Sequence, residues 1–381
     1  MQNTSKTFSI LPLLEEKKPQ RLRFLSSLDL GLAVSALLLA MIGLATVHSA
    51  SAELPIDYFP RQAVWVGIGI VLLLAAVSID YHVLLDLSVV LYAVGLVCLV
   101  LVLFIGVERG GAANWIQIGP WQFQPSEFAK LATALFLARY LASLNTRVLD
   151  LRQIATVVLI VGVPIVLVAI EPDMGGAAMY SPLVAGMLLV AGIRMRYLVT
   201  AALIALVLGA GVWAFGMKPY QKERVLTFLS PEKDPLGAGY QVRQSKIAVG
   251  SGKLVGRGYM QGTQSQLRFL PARHTDFILA VLAEEWGFVG VLTVLGLYVV
   301  YIRSAARIAM RARDRAGILL VAGLLSVTCF HVLYNAAMVV GYLPITGIPL
   351  PFLSYGGSFT MVSFIATGII LGVDLRRYVN Q

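Results

Sequence analysis

Long, nearly uncharged stretches recur along the chain, separated by short polar and basic segments. They run from Leu30 to Val47, Gln62 to Ile79, Leu87 to Val107, Glu127 to Leu144, Ile154 to Ile170, Gly175 to Ile193, Tyr197 to Phe215, Phe277 to Ile302, Gly317 to Val340 and Phe359 to Val373. Most approach the ~20 residues a helix needs to cross a bilayer. A segment alone in hydrocarbon must satisfy its own backbone hydrogen bonds, so each is predicted helical. The pattern therefore predicts an all-α polytopic membrane protein with about ten transmembrane helices. Two stretches fit it least well: the fourth carries Glu127, Lys130 and Arg139, and the tenth is short.

Composition points the same way. Hydrophobic residues make up 58% of the 381 positions and charged residues 13%, about half the quarter usual in soluble proteins. The first apolar run is followed by Ala50-Ser51-Ala52, which resembles a signal-peptidase site. That run has 18 residues, more than the 7–15 of a signal peptide, so it reads as a first span after a cytoplasmic tail of residues 1–29. Residues 30–381 then form a single membrane domain. Cys98 and Cys329 both lie inside apolar runs, and four scattered histidines build no His-rich metal site.

The net charge of +10 does not point to nucleic acid, because the basic residues cluster between apolar runs instead of forming a stripe. Lys6, Lys17, Lys18, Arg21 and Arg23 precede the first run, and alternate later loops add Arg139, Arg147 and Arg152, then Arg194 and Arg196, then Arg303, Arg307, Arg311, Arg313 and Arg315, then Arg376 and Arg377. The short loops of the opposite side hold only Arg61 and Arg109. This asymmetry places both termini in the cytoplasm. One opposite-side loop differs from the rest. Residues Gly216 to His274 carry ten Lys or Arg against Glu223, Glu232 and Asp234. It reads either as a solvated loop touching anionic headgroups or as a functional loop. Within it, Gly250-Ser251-Gly252-Lys253 lacks the earlier glycine and the following hydroxyl of a phosphate loop, so it reads as a turn.

Several polar groups sit where loops meet spans. In Arg273-His274-Thr275-Asp276-Phe277, either Thr275 or Asp276 reads as a helix cap, or Asp276 reads as a carboxylate at the membrane edge whose pKa rises towards that of a general base. Glu284 and Glu285 follow about 12 Å deeper; Glu284 lies about 80° around the helix from Asp276, so it either lines the same cavity or tethers a partner such as Arg109 or Lys130. Pro125 marks a helix start with Glu127 in its first turn. Glu127 and Lys130 are three apart and either pair on one face or leave Lys130 to receive a phosphate. Glu171-Pro172-Asp173 reads as an acidic helix break or an oxygen-ligand cation site. Pro344, Pro349 and Pro351 precede Ser354-Tyr355-Gly356-Gly357-Ser358, an irregular segment that is either a plain outer loop or a dipping loop lining a cavity.

Taken together, Asn114-Trp115-Ile116, Gln124-Pro125-Ser126-Glu127, Glu171-Pro172-Asp173, Asp234 to Gln241, His274 to Phe277 and Ser354 to Ser358 resemble the SEDS family (shape, elongation, division and sporulation) of bacterial cell-wall synthesis. Gln244-Ser245-Lys246 and Gln261 to Gln266 resemble its RodA branch more than its division branch, FtsW. The resemblance implies a ten-span bundle in the bacterial cytoplasmic (inner) membrane that polymerises lipid II into glycan strands on the outer face, for elongation and rod shape. It implies Asp276 as the base that takes the acceptor hydroxyl's proton, and Lys130, Glu127, Arg273, His274, Lys246, Ser354, Gly356 and Gly357 as substrate-binding residues. A divalent cation, Mg²⁺ or Mn²⁺, is a candidate helper for the lipid-diphosphate leaving group. The implied partners are a class B penicillin-binding protein and other elongation-complex membrane proteins. A lipid II flippase is the competing reading from another class, and the FtsW-like division polymerase the competing one within the family.

Overall fold

The computed structural model describes residues 29–52, 54, 56–109, 112–119, 121–144, 146, 148–211, 213–214, 222 and 237–377. The basic N-terminal tail before Asp29, Arg147, and the loop's Lys218, Arg224, Lys233 and Asp234 to Leu236 lie outside the described residues. The helices are α1 (Leu30–Ser51), α2 (Phe59–Ser78), α3 (Tyr81–Asp86), α4 (Ser88–Ile105), α5 (Pro125–Ser143), α6 (Leu151–Ile170), α7 (Met174–Ala178), α8 (Tyr180–Ala191), α9 (Met195–Gly211), α10 (Ala238–Ser251), α11 (Thr263–Gln266), α12 (Ile278–Arg311), α13 (Arg315–Val339) and α14 (Gly357–Arg376). The protein is thus a helical, polytopic membrane protein.

Eight stretches among the described residues are long and apolar enough to cross a membrane: α1, α2, α4, α6, α7 with α8, α12, α13 and α14. The other two expected spans form helices that fall short for separate reasons. Helix α9 has 17 residues. Helix α5 carries Glu127, Lys130 and Arg139, and it packs against α4, α6, α8, α13 and α14. Its charges are tolerated because that central place takes Glu127 and Lys130 out of reach of lipid.

Local sequence sets the helix starts. Pro125 opens α5, its missing N–H costing nothing in the first turn. Asp150 caps α6, and Gln153 returns the bond to the Asp150 N–H at 2.9 Å, a capping box. Asp314 caps α13 by accepting from Gly317 N at 2.7 Å. The main pairings set α14 against α2, α12 against α1, α13 against α8 and α4 against α5.

The all-α expectation needs one addition. Residues between α4 and α5 form an antiparallel three-stranded meander, β1 (Val107–Arg109), β2 (Ala112–Ile118) and β3 (Trp121–Phe123), with Val107 opposite Trp115 and Ile116 opposite Phe123. β1 and β3 have three residues each, too few for alternation to stand out, and β2 pairs with them over only a few positions. The second half of the basic loop is also ordered, as α10, α11 and the turns that lead to α12.

Candidate active site

A cavity of about 850 Å³ opens beside the ends of α2, α5 and α14 and the start of α7. Its walls include Tyr58, Arg61 and Trp65, the meander's Asn114, Trp115 and Trp121, the 344–349 segment, and Gly356 and Gly357. Asp276 lines it, half-buried, in a turn that precedes α12.

That turn is fastened from several sides. Arg273 is buried, and its Nε donates to Ala50 O on α1 at 2.7 Å. Tyr355 N donates to His274 O at 2.9 Å. Ser354 Oγ donates to Thr275 O at 2.7 Å. Asn335 Nδ2, on α13, donates to Asp276 O at 2.9 Å and also to Ile348 O at 2.9 Å. Four successive residues are therefore tied to α1, α13 and the segment before α14, which pre-organises the Asp276 position. The capping expectation is corrected: Phe277 takes the position before the first turn of α12 and makes no side-chain cap bond, and the Thr275 hydroxyl donates to Ala272 O.

His274 also lines the cavity, with its ring stacked on Tyr58 at 4.3 Å and 8° and edge-on to Tyr355 at 5.7 Å. Burial, with the Arg273 charge alongside, lowers its pKa to about 4, so the ring is neutral at physiological pH. Asp173, also in the lining, gathers Asn114 Nδ2 at 2.7 Å, Gln124 Nε2 at 3.3 Å and Gly176 N at 2.7 Å. Glu171 is buried behind it, and burial followed by the Asp173 charge raises its pKa to about 8.

The expected binding residues divide by position. Glu127, His274, Gly356 and Gly357 line the cavity with Asp276. Gly357 is held to a glycine by Trp65, whose ring would lie 2.5 Å from an added Cβ. Lys130 stands behind Glu127, buried, with Nζ 2.9 Å from Glu127 Oε1. Arg273 and Ser354 fasten the Asp276 turn from behind the lining. Lys246 is exposed on α10, packed over Gly341. Glu284 does not share the cavity. It is fully buried and accepts from Gln264 N at 2.9 Å, Ser265 N at 3.2 Å and Thr263 Oγ1 at 3.2 Å, so it is a tether to the loop, while Lys130 pairs with Glu127.

Sequence reasoning missed Tyr58, Gln62 and Asn335. Gln62, buried in α2, donates to Ser354 O and Thr360 Oγ1 and accepts from Gly356 N. Gln62 and Asn335 carried a readable signal: an amide inside an apolar span needs partners and marks a polar site. As for a divalent cation, no cluster of three or more His, Cys, Asp or Glu side chains suited to a metal occurs among the described residues. Asp173 already spends its oxygens on amide donors. These residues do not fit a resident cation.

The fold and cavity together define a polytopic helical membrane protein with an acidic pocket walled by loop segments. The FtsW/RodA/SpoVE family model, described as a cell cycle protein, matches residues 30–379. The chain belongs to this family, the SEDS family that its motifs resemble. It is 37% identical over 363 residues to the peptidoglycan glycosyltransferase MrdB of Escherichia coli K12, covering 94% of this chain and 97% of that one. It is 32% identical to the peptidoglycan glycosyltransferase RodA of Treponema pallidum, covering 94% and 100%. Among solved structures, a chain of a peptidoglycan synthase complex that coordinates polymerization and crosslinking superposes with a TM-score of 0.80 at 32% identity, over 93% of this chain and 99% of that one. The rod shape determining protein RodA of Thermus thermophilus gives 0.70 at 28% identity, over 93% and 98%.

Proposed function

We propose that this chain is the peptidoglycan glycosyltransferase of cell elongation, polymerising lipid II at the outer face of the bacterial cytoplasmic membrane with Asp276 as general base. The observation that carries this reading is the turn holding Asp276 at the cavity wall through four backbone-directed hydrogen bonds, in a chain whose relatives are named for that activity. The acceptor's sugar hydroxyl attacks the anomeric carbon of the growing strand. Its proton passes to the Asp276 carboxylate, the new C–O bond forms, and the anomeric C–O bond to the lipid diphosphate breaks with the electron pair leaving on the diphosphate. A sugar hydroxyl is a weak nucleophile, and a positioned carboxylate supplies this help.

The leaving diphosphate needs positive charge nearby. Arg61 is the Lys or Arg side chain that lines the cavity among the described residues, and it is assigned that role. Lys130 neutralises Glu127 and sets the charge of the cavity floor. Neutral His274, with Tyr58 and Tyr355, offers an aromatic wall to the sugar. Both termini are cytoplasmic on this reading, and a class B penicillin-binding protein cross-links the strands. The chain's likeness to a member of a complex that couples polymerization to crosslinking supports such a partner. The test is incubation of purified protein with labelled lipid II, with and without a class B partner: glycan ladders support the reading, and lipid II movement across vesicles without polymer supports a flippase.

A further inference from the structure

Helix α12 is broken at Gly287, whose φ of 66° and ψ of −164° lie outside the helical region. A break in a helix strands backbone groups that then need other partners. The segment from Lys253 to Gly258 supplies them. Phe288 N donates to Lys253 O at 2.9 Å and Val289 N to Leu254 O at 3.1 Å; in return Arg257 N donates to Glu284 O and Gly258 N to Glu285 O, each at 3.0 Å. The fit is close enough that a Cβ at Gly256 would fall 2.0 Å from Glu285 O.

Helix α1 fixes the level of this strap. Tyr259 OH donates to Ala45 O at 3.1 Å and lies 2.8 Å from His48 Nδ1, and Ser49 Oγ donates to Glu285. Ala45 precedes the end of α1 by six residues, about 9 Å along a helix that is itself apolar enough to span. The strap therefore lies beside the last turns of a span and not beyond them. Its outward side is apolar: Leu254 is 68% and Val255 79% exposed. They adjoin Phe288 and Val289, where an exposed apolar surface begins that continues along α12 through Leu292 and Val299. From Gly252 to Leu270 the chain has Lys253, Arg257 and Arg268 and no acidic residue. Lys253 and Arg257 are exposed.

Apolar and aromatic side chains at interface level, flanked by cations, are the composition of an interfacial anchor. We infer that the strap from Lys253 to Met260 is a membrane anchor: Leu254 and Val255 enter the bilayer at the Ser51 end of α1, and Lys253 and Arg257 bind the phosphates of anionic phospholipid headgroups. Lipid is the occupant because the apolar surface of the strap runs unbroken into that of a spanning helix, and because the strap's charge is of one sign. The anchor also holds the segment that closes the break in α12, so headgroup binding steadies the helix that begins just after Asp276.

The test uses the full chain in nanodiscs of phosphatidylcholine with or without phosphatidylglycerol, with Val255→Cys spin-labelled in a Cys98→Ala/Cys329→Ala background. Collision with oxygen in preference to a water-soluble nickel chelate is expected, as for a label within the bilayer. A label that meets the nickel chelate freely would overturn the anchor, and so would one shielded from both reagents, since that marks protein contact. In a second arm, Lys253→Gln/Arg257→Gln is expected to lower the preference for spin-labelled phosphatidylglycerol over phosphatidylcholine by about fivefold per charge removed. Because Arg257 Nη1 also donates to Thr263 Oγ1 at 3.1 Å, Lys253→Gln alone serves as a variant that leaves that bond intact. An unchanged preference in both would overturn the headgroup contact.

Discussion

Asn335 Nδ2 donates to the carbonyl of Asp276 at 2.9 Å, joining the last turns of α13 to the turn that carries the proposed base. The same amide reaches Ile348 O, so one side chain sets the spacing between the turn and the 344–349 wall of the cavity. Leaving buried partners unsatisfied costs about 1–3 kcal/mol. Asn335→Leu is expected to lower the unfolding temperature and to cut polymerisation by more than the lost folded fraction explains, since the Asp276 turn loses its register. Activity that falls only in proportion to folded protein would remove Asn335 from the positioning of Asp276.

The Glu127 and Lys130 pair invites a double-variant cycle. Both side chains are buried and 2.9 Å apart, and removing one partner of a buried pair strands a charge at a cost of about 3–5 kcal/mol. Lys130→Met is expected to lose stability and activity together. Glu127→Gln/Lys130→Met carries no stranded charge and is expected to regain most of the stability while polymerisation stays low, because Glu127 faces the cavity. Recovery of both would confine the pair to a structural role.

Stability should respond to pH through His82, which bridges Asp80 and Asp314 with Nδ1 2.9 Å from Asp80 Oδ1 and Nε2 2.6 Å from Asp314 Oδ2. Burial would lower the His82 pKa, but its hydrogen bonds with both carboxylates outweigh that and raise it above 6.5. A raised folded pKa gives stabilisation that is complete below the unfolded value and lost as pH rises through the folded one. Asp314 runs oppositely: burial would raise its pKa, yet bonds from Tyr81, Gly317 and His82 hold it below 3.8, so its share is lost only as the solution becomes strongly acidic. The wild type is therefore expected to lose thermal stability as pH rises from about 6.5 through the raised folded pKa of His82, more than His82→Gln does. Parallel profiles in that window would contradict the bridge.

Topology is open to direct labelling. Reporters between Gly216 and His274 are expected to be reached from outside the cell, and those between Arg303 and Arg315 only from the cytoplasm, as the short-loop asymmetry of Lys and Arg requires. The reverse pattern would put the cavity on the wrong side for extracytoplasmic polymerisation.

The ladder of helices was legible because spans are written in composition over some twenty residues, a signal local contacts cannot blur. Helix α5 shows the limit of that signal: its charges weaken it as a span in sequence, and only the surrounding helices explain them. Asp276 and Glu127 could be placed at the site because a carboxylate where a loop meets an apolar run is conspicuous. The roles of Arg273 and Ser354 could not be read, since both act on backbone carbonyls of distant segments, Ala50 and Thr275, and sequence does not record which carbonyls approach. Glu284, read either as a cavity residue or as a tether, is a tether, and its partner could not be read for a related reason. Helical spacing gave its angle from Asp276, but the two residues are separated by the start of α12 at Ile278, and the loop residues 263–265 occupy the space beside Glu284. The meander stayed hidden because strand pairs of two or three residues leave almost no pattern.

The central claim rests on Asp276, and the most direct measurement is lipid II polymerisation by Asp276→Asn. Asparagine preserves the size of the side chain, and the bonds from Tyr355, Ser354 and Asn335 end on the main-chain carbonyls of residues 274–276, so the turn does not depend on the carboxylate for them. The variant is expected to fold and unfold like the wild type. An amide has no proton-accepting carboxylate at neutral pH, so glycan synthesis should fall by about 10²- to 10⁴-fold, the loss typical of removing a general base. Glycan ladders of wild-type yield from a well-folded Asp276→Asn protein would contradict the account.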